Sequence, residues 1–357
     1  MAALAALDVL KNTGMSPLEI DVILSVTEEW KEYPLTTSAL YIQDRIGAVN
    51  AWGIDVQNRC CTTVSAMKMA KDMLIADDEL NVIMVVGGYR TGDFVDYTDK
   101  DMSMMYNLAA GGGAIISKKN YGKNLLLGSH VIADGSLSRT TGVEIGGICN
   151  PITPENIEVA KKSLRLLDPV KMKNRLNEVS MPNWYKCIDE SLRKAKLERK
   201  DISYLDILHI KRSGHEAMVK ELGLLPEQSI YLENYGHIGQ VDQILSLHLA
   251  LQSGQVKDGS VICMFAAGIG YVWALANLNM SNQHNFYNAG TNTIQNVKCP
   301  VLHTWGKKDI VVPEYMVLDN IKALEQQSKL VVYENCGHSP LVDVPDQLAK
   351  DILEFIK

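Results

Sequence analysis

The sequence contains no C-x-x-C pair and no G-x-S-x-G elbow, and its seven cysteines are scattered without the even spacing of a disulfide framework. The glycine run at 109–114, AAGGGA, is not a phosphate loop, and His215-Glu216 lacks the second histidine of a zinc-protease helix, so no metal and no cofactor is expected. Basic residues do not predominate: 35 Lys and Arg face 42 Asp and Glu, a net charge of −7 with a pI near 5.7. That balance argues against a nucleic-acid partner, because phosphate-tracking domains carry a basic face. No long hydrophobic run is present. The longest, Val261 to Ala276, includes two glycines and falls short of the roughly 18 residues of a membrane span, so it reads as a buried strand and the turn after it. The first residues, MAALAALDVLK, lack the basic leading region of a signal peptide. Unpaired cysteines and fifteen methionines suit a reducing compartment, which makes the expected location cytoplasmic.

What is present is an ordinary globular composition over 357 residues, enough for two domains or one large layered fold. Its organising stretch is 51–74. Trp52, Ile54 and Val56 alternate as a buried strand requires, and Val64, Met67 and Leu74 then fall at helical spacing. Cys60 and Cys61 sit at the junction, where the unpaired amides and positive end of a helix favour a thiolate. The competing reading is that both are small buried hydrophobes.

The remaining chain alternates between strand and helix. Helices are expected at 1–14, 38–46 and 241–252 and strands at 20–29, 81–88, 111–119, 123–136, 204–210, 229–236 and 260–268. Ser213 and Glu216 have capping-box spacing, and residues 154–200 read as charged helix with Trp184, Ile188 and Leu192 on one face. Residues 281–298 are rich in Asn and read as a linker, after which 299–309 and 329–340 form two strand-and-turn units, with helices near 314–327 and at the end. This is an α/β pattern with a parallel or mixed sheet, whose chemistry belongs at the strand ends.

Residues 1–280 resemble β-ketoacyl-acyl carrier protein synthase III, a condensing enzyme of the thiolase fold. The likeness rests on Asp55 five residues before Cys60, on His209 in LHIKRSGHEAMVKELGL, on a glycine-flanked position filled here by His237, and on GIGYVW at 268–273. The resemblance implies a thiolase-like layered αβαβα fold, with residues 1–150 carrying the nucleophile and 151–280 forming the second half. It implies Cys60, His209 and His237 as catalytic residues of an acyltransferase that forms a Cys acyl-enzyme and condenses it with a malonyl-type thioester. Backbone amides of Cys60 and of Gly268, Ile269 and Gly270 would hold the oxyanion, since glycine permits close backbone approach. The implied partners are acyl-CoA or acyl carrier protein and a second copy of the chain, paired through the first sheet, whose strand 81–88 is apolar throughout.

Several positions depart from the family pattern. Arg59, Cys61 and Thr62 replace small residues beside the nucleophile, and His237 stands where the family has Asn. Arg59 is a candidate contact for an acidic acyl group or half of an ion pair. Arg212, after Lys211, is a candidate for a carboxylate or phosphate, or simply solvated. The resemblance starts after the strand and segment with which the family normally begins, so the fold is expected to be N-terminally truncated. Residues 299–357 resemble the last part of an α/β-hydrolase, with Asp309 in WGKKD and His338 in NCGHSP, but without a serine elbow. The alternatives to a condensing enzyme are therefore a catalytically inactive synthase-like subunit and an α/β-hydrolase-type esterase.

Overall fold

The computed structural model describes residues 1–28, 30–280, 300–309 and 328–356, with isolated positions between 312 and 324. Residues 1–280 form one compact unit and 281–357 a second. In the first unit, helix α1 (Ala2–Thr13) stops where Gly14 turns left-handed at φ 67°, and a capping box of Ser16 and Glu19 starts the next turn. Strand β1 (Val22–Ser25), helix α2 (Ser38–Ile46), strand β2 (Trp52–Asp55), helix α3 (Thr62–Ala76), and strands β3 (Val82–Tyr89) and β4 (Gly111–Lys118) follow. They build a sheet of order β2-β1-β3-β4, parallel from β2 to β3 and antiparallel at β4.

A second sheet has the order β5-β10-β9-β8, from β5 (Leu125–Ala133), β8 (Tyr204–Ile207), β9 (Val261–Gly268) and β10 (Val272–Asn279). Between β5 and β8 lie β6 (Thr141–Val143), α4 (Ile157–Ala160), β7 (Leu164–Leu166) and the 27-residue α5 (Pro169–Ala195); β6 and β7 pair with each other. Helices α6 (Arg212–Glu221) and α7 (Asp242–Ser253) come between β8 and β9.

The side chains sort these elements into layers. Strand alternation sends Ile23 to one face of the first sheet, against Ala6, Leu10 and Ile42 of α1 and α2, and sends Val22 and Leu24 to the other, against Ala66, Ala70 and Leu74 of α3. The opposite side of α3, through Cys61, Val64 and Met67, packs on Met264, Ala266 and Ala274 of the second sheet. Beyond that sheet lies α5, whose Trp184, Ile188 and Leu192 meet Phe265, Trp273 and Leu275. The result is helix, sheet, helix, sheet, helix. Helix α3, which begins at the cysteine pair, is with α7 an inner helix shared by both sheets.

Several expectations are corrected. Strand β2 is an edge, with Trp52 50% and Ile54 44% exposed, whereas β3 lies inside the sheet between β1 and β4 and offers no edge to a partner copy. Strands β4 and β5 belong to different sheets, and β10 was not foreseen as a strand. Segment 229–236 is irregular because its polar groups are satisfied singly: Ser229 Oγ donates to the Leu205 carbonyl at 2.7 Å and the Ile230 amide to the Tyr204 hydroxyl at 3.2 Å. Helix α6 begins at Arg212 with no side-chain cap, so Ser213 sits inside its first turn. The linker expected at 281–298 lies outside the described residues, as does most of the helix expected at 314–327.

The second unit contains β11 (Val301–Gly306) and β12 (Ser328–Tyr333), paired in parallel, then α8 (Pro340–Asp343) and α9 (Pro345–Phe355), whose Leu348 packs with Tyr333 and Cys336. Asp309 and His338 meet there, with Nδ1 3.0 Å from the carboxylate.

Gly128 of β5 shows how closely the layers approach. A Cβ at that position would lie 2.2 Å from the Ser191 carbonyl oxygen of α5, and backbone cannot yield as a flexible side chain does. Gly128→Ala is therefore expected to destabilise the fold by about 1–3 kcal/mol or more. Denaturant unfolding measures it, with Gly142→Ala, where the added methyl meets only Leu167 at 3.7 Å, as the control near zero.

Candidate active site

Strand β2 ends at Asp55, and a 3-10 turn over Arg59–Cys61 carries the chain into α3. Arg59 adopts a left-handed φ of 54°, which non-glycine residues rarely do. Thr62 holds the elbow: its hydroxyl donates to the Arg59 carbonyl at 2.6 Å and accepts from the Asn58 amide at 2.8 Å. Gly268 packs against this turn, since a Cβ there would lie 3.0 Å from Arg59 Cβ and 3.2 Å from the Cys60 amide nitrogen. The elbow turns the two thiols apart. Cys61 is fully buried, donates to the Val272 carbonyl at 3.3 Å, and has its pKa pushed well up, by burial first and by the neighbouring cysteines. Cys60 Sγ lies instead 3.2 Å from His237 Nε2.

His237 is fixed by backbone on both sides. Its amide donates to the Asn107 carbonyl at 2.7 Å and its carbonyl accepts from the Ala109 amide at 2.9 Å. Gly236 before it has φ 70°, and a Cβ there would fall 2.6 Å from Asn107 O. Its ring nitrogen Nδ1 is 2.5 Å from Asp242 Oδ2. Asp242, the first residue of α7, is fully buried and also accepts from the Ile238 amide at 2.6 Å and the His209 amide at 2.7 Å. One carboxylate thus holds both histidines. Burial opposes charge on His237, but Asp242 and then Cys60 outweigh it and raise its pKa well above the ordinary value.

His209 follows β8 and is buried, with no hydrogen-bond partner on Nδ1. Its ring lies 4.8 Å from that of Tyr231, and burial lowers its pKa, so it is neutral near pH 7. Tyr89, at the end of β3, is buried with its ring 6.3 Å from His237 and its face against Gly239, where a Cβ would lie 2.5 Å from the ring.

The other sequence candidates have structural partners. Asp55 accepts from the Ser38 and Ala39 amides at the start of α2, both at 2.9 Å, and pairs with Lys31 at 2.9 Å. Its fixed distance from Cys60 is a feature of the fold. Arg59 reaches Glu28 at 3.7 Å; Arg212 pairs with Glu233 at 2.7 Å and covers the Tyr231 ring at 4.2 Å. Gly268, Ile269 and Gly270 form the turn between β9 and β10. Sequence reasoning missed Asp242, whose signal was a carboxylate five residues after His237, between Val241 and Gln243.

This geometry has counterparts. The N-terminal model of the 3-oxoacyl-[acyl-carrier-protein] synthase III family matches residues 54–135, and the C-terminal model matches residues 192–280. Over those two stretches the chain resembles the 3-oxoacyl-ACP synthase III family. It is accordingly a synthase III-like acyltransferase of the condensing type. A synthase III of Microcystis aeruginosa is 28% identical over 275 residues, 76% of this chain and 80% of that protein. The synthase III structure from Aquifex aeolicus superposes with a TM-score of 0.66 at 22% identity, covering 78% of this chain and 83% of that one. A cysteine-to-serine variant of Xanthomonas campestris OleA, solved with lauric acid and lauroyl-CoA, gives 0.64 at 16% identity over 78% and 81% of the two chains. Both solved structures bear on the thiolase-like fold. Both family models lie within residues 54–280 and do not extend to the segment 299–357 expected to be hydrolase-like. Among the described residues, no helix is long and apolar enough to cross a membrane, and no group of three or more His, Cys, Asp or Glu is placed to hold a metal.

The elbow sets the order of thiol reactivity. At limiting iodoacetamide, peptide mapping is expected to find adducts on Cys60 and on the exposed Cys149 before Cys61, Cys187 or Cys263, all of which are buried. Early modification of Cys61 would show that the turn presents the other thiol.

Proposed function

We propose that the protein takes an acyl group from an acyl-CoA or acyl-carrier thioester onto Cys60 and passes it to a second acceptor. The observation that carries this reading is the 3.2 Å contact of Cys60 Sγ with His237 Nε2 at a helix start. An imidazole nitrogen in contact with the sulfur can exchange a proton with it as it reacts, and a thiolate is both a good nucleophile and a good leaving group in exchange with a thioester. The amides of Cys60 and of the 268–270 turn are the groups proposed for the oxyanion, and His209 is proposed as a neutral hydrogen-bond donor. The acceptor implied by the family is a malonyl-type thioester, whose decarboxylation calls for donors at the enolate oxygen. Arg59 and Arg212 are proposed contacts for the acidic parts of the carrier.

Incubation with a panel of acyl-CoAs is expected to add one acyl mass, mapped to Cys60 and absent in Cys60→Ala. His237→Ala should slow that acylation by roughly 10²–10⁴-fold. No adduct with any donor would favour the inactive-subunit reading.

A homodimer through the first sheet is proposed as well, now through β2. Among the described residues no strand pairs with its outer edge, and it exposes Trp52 and Ile54, an arrangement that invites strand pairing. Light scattering at micromolar concentration is expected to give a dimer, and Trp52→Glu with Ile54→Lys a monomer. A monomeric wild type would sink the idea.

A further inference from the structure

We infer that Tyr89 is a further catalytic residue of the condensation: its phenol donates a hydrogen bond to the thioester oxygen of the malonyl-type acceptor as carbon dioxide leaves. The inference rests on the acyl-enzyme and the acceptor proposed above, and it names a donor for the second half-reaction.

Strand parity turns Tyr89 toward the layer of the thiol. Along β3, Val82, Met84 and Val86 face α1 and α2, whereas Ile83 and Val85 face α3. Tyr89 shares the parity of the second set, so its side chain enters the inner layer, where α3 starts beside Cys60 and α7 starts at Asp242. The turn bearing His237 is fitted onto it. Ile238 lies over Gly111, the residue opposite Tyr89 in β4, and Gly239, left-handed at φ 58°, clears the ring, from which a Cβ would lie only 2.5 Å. The rings of Tyr89 and His237 are centred 6.3 Å apart. Around the phenol stand Cys60, Glu28 and Asp242, with the Thr91 side chain hydrogen-bonded to its oxygen.

The phenol keeps its proton and has it to offer. Burial first, then Cys60, and after them Glu28 and Asp242 push its pKa well above the ordinary tyrosine range, so it stays protonated near pH 7. Thr91 acts in the opposite sense, which marks Thr91 as the donor: a hydrogen bond given to the phenol oxygen eases ionisation, and one that the phenol gives would hinder it. The O–H proton of Tyr89 is thereby left for another acceptor. An enolate oxygen is such an acceptor, and a fixed, buried O–H needs no reorganisation when the charge appears. Where the family has Asn, this chain has His237, whose Nδ1 is taken by Asp242 and whose Nε2 faces the Cys60 sulfur. Tyr89 supplies, beside His209, the uncharged donor that such an amide would have been.

The step balances with the reactants already named. The bond between the carboxylate carbon and the methylene carbon breaks, carbon dioxide leaves, and the electron pair passes to the thioester oxygen, held as an enolate by Tyr89 and His209. The methylene carbon then bonds to the acyl carbon on Cys60. The C–S bond breaks and Sγ departs with its electron pair, carrying the charge that the carboxylate brought. A β-ketoacyl thioester, carbon dioxide and free Cys60 remain, and Tyr89 retains its proton throughout.

The test uses the full chain, acylated with an acyl-CoA and desalted, then given malonyl-CoA labelled in its free carboxyl group. The wild type is expected to release labelled carbon dioxide, and Tyr89→Phe, which keeps the ring against Gly239, to form the Cys60 adduct yet release carbon dioxide about 100-fold more slowly. Release by Tyr89→Phe at the wild-type rate overturns the inference. So does a loss in Tyr89→Phe that is equal for acylation and decarboxylation, the mark of a role in packing alone. Should Tyr89→Phe fail to fold, a fluorinated tyrosine placed at position 89 of the otherwise unchanged chain serves instead. Its fluorine resonance is expected to move when an unreactive malonyl-CoA analogue binds the acyl-enzyme, and a resonance that stays put overturns the inference equally. A wild type that forms the adduct but releases no carbon dioxide refutes the malonyl-type acceptor, one that forms no adduct refutes the acyl-enzyme, and the inference falls with either.

Discussion

A single buried carboxylate organises the site. Asp242 accepts three short hydrogen bonds, from the His237 ring and from the amides of Ile238 and His209, which tie two stretches of chain, 237–238 and the residues after β8, to the start of α7. A carboxylate taken out of water is costly unless its lone pairs are filled, and here they are filled by the groups whose positions matter. The requirement to satisfy Asp242 and the requirement to orient the histidines are met by the same contacts.

The nucleophile is located by a different means, close packing. Helix α3 has its first turn buried between the sheets, with Thr62, Thr63 and Val64 all inaccessible, which restrains its rotation. Glycines at three neighbouring points, Gly236, Gly239 and Gly268, let backbone and rings approach closer than a Cβ would permit. Two buried glutamines complete the frame: Gln240 donates to the Val26 carbonyl at the end of β1, and Gln243 to the Phe265 carbonyl of β9 at 3.0 Å. The segment bearing His237 is thereby tied to both sheets.

Much of this was legible in the chain. The strand, cysteine turn and helix at 52–76 follow from alternation and helical spacing, and Cys60, His209 and His237 were reached through family resemblance on those elements. Asp242 was not, because an acidic residue at a helix start reads as an ordinary favourable charge, and nothing local says that it is buried. The pattern SIYLENYG alternates like a strand, but only the folded chain reveals that Tyr204 and Leu205 satisfy its polar groups. Trp52 and Ile54 look like core residues since apolar alternation cannot tell an edge strand from a central one. Strand β10 was hidden by the glycines of GIGYVW, which close a hairpin.

That hairpin has a consequence for the architecture of the whole polypeptide. Its turn abuts the cysteine elbow, and the two strands run away from it in register until Asn279 faces Val261. Eight residues of strand span about 25 Å, so the chain leaves the catalytic unit at Met280 from the end remote from the thiol. Growth of the polypeptide at this point, by insertion or by acquisition of a second folding unit, can thus proceed without repacking the reaction centre.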